Sequence, residues 1–101
     1  MEPIVITINH SLGKDEVVRR LKPALAKAAE AFPVLKVQSE EWSGNRMDFR
    51  VRALGQVVGG NVQIGEHIVR LEVTLPWLLA KFAKPAQKTI ETTGRALLAK
   101  E

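Results

Sequence analysis

Residues 46–75, RMDFRVRALGQVVGGNVQIGEHIVRLEVTL, decide the fold. In RMDFRVRA (46–53), Met47, Phe49 and Val51 alternate with Arg46, Asp48, Arg50 and Arg52. That period of two belongs to a strand with one face buried and one in water. QVVGGNVQI (56–64) sets Val58, Val62 and Ile64 on one face, with Gly59-Gly60 hinting at a bulge or bend. The dipeptide GE then turns the chain into HIVRLEVTL (67–75), where Val69, Leu71, Val73 and Leu75 oppose Arg70, Glu72 and Thr74. Connections this short join antiparallel neighbours, and the polar residues of each strand make one solvated face.

Working outward, VLKVQSE (34–40) alternates Leu35, Val37 and Ser39 against Lys36, Gln38 and Glu40, and SGN (43–45) supplies a turn. PIVITI (3–8) is a first strand with Ile4, Ile6 and Ile8 on one face. Between these strands the spacing predicts a helix from Lys14 to Ala31, capped by Ser11 or Gly13, with Val17, Leu21, Ala24, Leu25, Ala28 and Phe32 facing the core. Pro23 falls on its polar face, so the helix is expected to bend around a curved sheet without breaking. After Pro76 a closing helix is expected over 77–99. Its core stripe is Leu79, Phe82, Ala83, Ala86, Ile90, Thr93 and Leu97, and its basic stripe is Lys81, Lys84, Lys88 and Arg95. The order β-α-β-β-β-β-α predicts a single α+β domain over residues 1–101, a curved antiparallel sheet with both helices on one face. The TATA-box-binding repeat and helix-grip domains share that arrangement, which carries no function by itself.

The composition, 46% hydrophobic and 26% charged, is that of a globular chain. With no cysteine there is neither a disulfide framework nor a thiolate metal site. MEPIVITINH lacks the basic start of a signal peptide, and no apolar run approaches the roughly 20 residues of a membrane helix. The expectation is a soluble, cytoplasmic protein. Its net charge of +4 suits anionic company: nucleic acid, an acidic surface or an acidic protein.

Catalytic signatures are missing, so the expectation is no enzyme, no cofactor and no metal site. His10 and His67 are the only histidines, tyrosine is lacking, and LGQVVGGN has neither the lysine nor the hydroxyl residue of a phosphate loop. His10, just before the helix, reads as a residue that orders the turn. Two surfaces could carry binding. Lys36, Arg46, Arg50, Arg52 and Arg70 share the outer face of the sheet and could track phosphates. No exposed aromatic joins them to stack bases, and Glu40, Asp48 and Glu72 interleave, which favours a solvated, partly neutralised face over nucleic acid. Trp77 falls in the basic stripe of the closing helix with Leu78 at its edge. Packing at the sheet end is the commoner role for such an aromatic; the sharper one is an interfacial anchor of Trp77, Leu78, Lys81 and Lys84. A homodimer through an edge strand or the Trp77 region stays open.

INHSLGKDEVVRRL, EWSGNRMDFRV, GGNVQIGEHIVRLEVTLPWLLAKF and the final IETTGRALL together resemble the polyhydroxyalkanoic acid system protein family. Its members are small bacterial proteins whose genes lie among those for making and using polyester storage granules. The resemblance spans nearly the whole chain through His10 and Leu12, the hairpin of Trp42, Gly44 and Phe49, and Leu75, Leu78 and Leu79; Pro23 and Pro85 depart from it. It brings no catalytic residues. It implies a non-catalytic accessory protein that binds the granule surface or a granule protein, cytoplasmic and granule-associated. The alternative is a basic module holding nucleic acid or an acidic partner on the arginine-bearing face.

Overall fold

The computed structural model describes residues 2–31 and 33–99; of these, the side chains of Glu2 and Trp77 are not described. Phe32, expected on the core face of the first helix, lies outside the described residues. Five strands, β1 (Glu2–Asn9), β2 (Leu35–Ser43), β3 (Arg46–Ala53), β4 (Gln56–Ile64) and β5 (Ile68–Leu75), form one antiparallel sheet in the order β1-β5-β4-β3-β2. The helices are α1 (Lys14–Leu21), α2 (Ala24–Ala31) and α3 (Ala83–Leu97), with a 3-10 segment at Trp77–Phe82. This is the expected α+β fold.

The strand order explains why so long a helical stretch is needed. β1 and β2 are opposite edges, so the chain between them must cross the whole sheet. Four strand spacings are about 19 Å, and a helix over 14–31 would reach about 27 Å, enough to cross on the slant. The crossing is made in two pieces, which corrects the expectation of one bent helix. Lys22 keeps helical backbone angles and donates to the Val18 carbonyl at 3.0 Å, and Lys27 donates to the Pro23 carbonyl at 3.0 Å. Pro23, having no N–H, cannot bond the Arg19 carbonyl, so the first ladder makes its last bond at Lys22, α1 ends at Leu21 and α2 starts at Ala24. Helix α1 packs against β4 in mid-sheet and α2 against β2, while α3 lies against β1.

The core is the inner face of the sheet. Ile4, Ile6 and Ile8 pair with Val73, Leu71 and Val69, and Leu75, Val58, Val62, Ile64, Met47 and Val51 complete the face across the strands. Val17 of α1 is fully buried on this face and Leu79 closes one end. Neither α2 nor α3 buries a residue completely, so most of the core is supplied by strands.

Two strand details differ from expectation. The Gly59-Gly60 pair makes no bulge: the β3–β4 and β4–β5 ladders run through it without a slip. Gly60 is instead a close-approach site, since a Cβ there would lie 2.6 Å from Cζ of Phe49 and 2.5 Å from the Glu72 carbonyl oxygen. The bulge sits in β2, between Val37 and Ser39. Beyond it the faces exchange: Ser39 pairs with Arg50 on the outer side, and Glu40 and Trp42 pair with Phe49 and Met47 on the inner side. The Trp42 indole N–H donates to Oε2 of Glu40 at 2.9 Å, and Nζ of Lys22 stands 5.9 Å from the indole centroid.

Candidate functional site

The closing segment is not one helix. Pro76 (φ −58°, ψ 153°) ends β5, and the Leu79 N–H donates to its carbonyl at 2.9 Å, starting a 3-10 stretch. Three residues per turn here and 3.6 in α3 shift the phase of the apolar stripe. Leu79 is buried as expected, but Phe82 is 44% exposed and Thr93 points to solvent. The face that meets the sheet runs instead through Ala83, Ile90 and Gly94 to Leu98, with Gly94 set against Ile8.

This shift leaves apolar groups in water. Leu78 is 49% exposed and Phe82 44%, with Lys81 holding Nζ 5.4 Å from the Phe82 ring centroid and Lys84 exposed one residue into α3. Leu78, Lys81 and Lys84 are all exposed along this segment, and so is Phe82. The side chain of Trp77 lies outside the described structure.

The same end of the sheet carries more exposed apolar surface. β3 and β4 join through Leu54-Gly55 after the pair Ala53↔Gln56, β2 starts opposite at Leu35, and β5 runs out at Leu75 into the 3-10 segment. Leu54 is 62% exposed and Val34 56%, with Val57 and Val37 half-open nearby along their strands.

The outer-face cations do not form one cluster. Arg46 pairs with Asp48 at 3.0 Å and Arg70 with Glu72 at 3.7 Å, at the end of the sheet away from Leu54. The Arg46 guanidinium holds the Asp48 carboxyl below the usual carboxylate range. Lys36 and Arg52 are cross-strand partners beside the Leu54 turn, with Arg50 two residues further along β3. These three have no ion pair among the described residues. Beside Arg50 the outer face dips over Gly59, in an open depression of about 590 Å³ edged by Val57, Asn61, Glu72 and Thr74. The inward turn of Trp42 and Phe49 leaves this face without either aromatic.

The opposite end is closed by polar groups. His10 is 8% exposed, and both its ring nitrogens are engaged: Nε2 donates to the Gly65 carbonyl at 3.1 Å and Nδ1 accepts from the Leu12 N–H at 3.3 Å. The Nε2–H tautomer satisfies both bonds, leaving no ring nitrogen for chemistry. Nearby, Arg20 donates from Nη1 to the carbonyls of Leu97 and Ala99, each at 2.9 Å, and from Nε to Glu16 at 2.8 Å. It caps α3 from α1, a role that the helical spacing of residues 14–31 does not mark.

No helix among the described residues is long and apolar enough to cross a membrane. Among solved structures, TTHA0849 from Thermus thermophilus is 16% identical over 96% of this chain and 92% of its own, with a TM-score of 0.43, too distant to add to the fold read from the strand order. No curated protein matches the chain. A family model matches residues 4–98, nearly the full length and all five strands, and the chain belongs to the family described as "Putative polyhydroxyalkanoic acid system protein".

Proposed function

We propose that this protein is a non-catalytic, cytoplasmic accessory of the polyhydroxyalkanoate system that attaches to the granule surface through the segment from Trp77 to Lys84. The observation that carries the reading is the exposure of Leu78 and Phe82 on a short 3-10 segment flanked by Lys81 and Lys84. Water-exposed leucine and phenylalanine next to lysines suit an apolar phase with anionic groups at its boundary. Membership of the family supplies the granule context. The non-catalytic part draws support from His10, whose nitrogens are both spent on backbone groups.

Co-sedimentation with purified polyester granules at low and high salt tests this. Removing two apolar side chains that insert should weaken binding by up to about a thousandfold, because burying each is worth about 2 kcal/mol. Leu78→Ala combined with Phe82→Ala is therefore expected to abolish sedimentation at both salt concentrations, with Arg50→Ala close to wild type. Binding that ignores the double variant but fails with Arg50→Ala, or that vanishes in salt, would transfer the function to the cations Lys36, Arg50 and Arg52 of the sheet face.

A further inference from the structure

The β3–β4 turn is unusual in its residue choice. A two-residue hairpin turn with both central residues at positive φ favours asparagine, aspartate or glycine at its first position. Here that position is Leu54, at φ 53°, followed by Gly55 at φ 80°. A branched apolar side chain is held in the left-handed region and also pushed into water, 62% exposed, without joining the side chains packed on the core. Folding gains nothing from leucine there that asparagine would not supply better.

The surroundings of the turn indicate what the leucine meets. Val34 and Val57 flank it, and Lys36 and Arg52 face each other across β2 and β3 two residues behind the tip. Two residues of strand span about 7 Å. Interfacial elements sink about 5–10 Å into the boundary between headgroups and acyl chains, which would leave cations at that distance among the phosphates. Charge agrees: by strand order Lys36 and Arg52 lie at this end and Lys81 and Lys84 follow β5 out of it, against Glu30 in the last turn of α2 and Glu72 across the outer-face depression from Arg50. A protruding turn also suits a deformable layer better than the surface of a folded protein, which would need a matching groove.

We propose that the β3–β4 tip is a second insertion point, with Leu54 entering the apolar layer of an anionic lipid surface and Lys36 and Arg52 contacting its headgroup phosphates. This rests on the surface-attachment reading above and adds both a residue and the chemistry of the coat.

The test uses phosphatidylcholine vesicles with and without phosphatidylglycerol, together with thermal melts of the same proteins. Leu54→Asn is expected to lower partitioning about tenfold while raising Tm by about 4 °C, because asparagine suits the turn. Lys36→Ala with Arg52→Ala should remove most of the preference for phosphatidylglycerol, about fivefold for each cation. Unchanged partitioning of Leu54→Asn, or a fall in its Tm, overturns the proposal. If Leu78→Ala with Phe82→Ala abolishes granule binding and Leu54→Asn leaves both granule binding and vesicle partitioning at the wild-type level, the hairpin inference fails alone. Wild-type protein that binds neither granules nor vesicles sinks both readings. Wild-type protein that binds granules but not vesicles meets polymer or protein there, and the lipid proposal falls.

Discussion

The two ends of the sheet are finished differently. At the His10 end, a buried imidazole bonds backbone groups on both sides, Arg20 caps the last carbonyls of α3, and Arg46 and Arg70 are paired with carboxylates. At the Leu54 end, the chain exposes Val34, Leu54, Leu78 and Phe82, and Lys36 and Arg52 have no ion pair among the described residues. Polar groups that satisfy one another stabilise a fold and leave little for a partner. Apolar groups left in water do the reverse. On the proposed function, stability belongs to one end and recognition to the other, and substitutions at the two ends should separate those properties.

The largest effect is expected from His10→Ala. It leaves the Gly65 carbonyl and the Leu12 N–H without their partner, and such losses cost about 1–3 kcal/mol. For a domain of this size Tm should fall by about 5 °C or more, with granule binding unchanged at a temperature where the variant is folded. A variant as stable as wild type would break the comparison. Arg20→Ala comes next, at about 1 kcal/mol, since its bonds are only partly screened from water. Its signature is local: amide exchange should quicken in the last turn of α3 more than in the strands, because Arg20 bonds the carbonyls of Leu97 and Ala99.

The sheet was legible wherever the period of two ran unbroken. β3 and β4 end where their alternation ends, and the pairing of Met47, Phe49 and Val51 with the inner face of β4 follows from it. β2 departs from its reading beyond Val37, because a bulge adds one residue without any mark in the alternation, and Glu40 and Trp42 then exchange sides with Ser39. The closing helix departs for a related reason: a single period of 3.6 cannot describe a 3-10 segment followed by an α-helix, so it places Phe82 in the core. Leu54 carried a signal of its own. Strands ending at Ala53 and restarting at Gln56 leave two residues for the turn, and a leucine there is out of place. The capping bond of Arg20 had no local signal, since its acceptors, Leu97 and Ala99, lie at the far end of the chain.

The smallest predicted effect sharpens the comparison by pH. Glu16 accepts hydrogen bonds from Arg19 and Arg20, which lower its pKa from 4.5 to about 2. A carboxyl with a depressed folded-state pKa favours the folded form fully above its unfolded value, and that contribution is lost as pH falls through the folded one. The window is therefore between about 4.5 and 2. Protonation there removes one anchor of Arg20, so loss of the α3 cap should begin within it. Glu16 is partly exposed, and screening by water keeps the effect small. Glu16→Gln is expected to flatten the acid limb of a Tm-against-pH curve in this window and to leave vesicle partitioning at neutral pH unchanged. Equal acid limbs in the two proteins would show that the closed end is held without this carboxylate. A change in partitioning would show that the two ends are coupled, and stability and recognition could not then be divided between them.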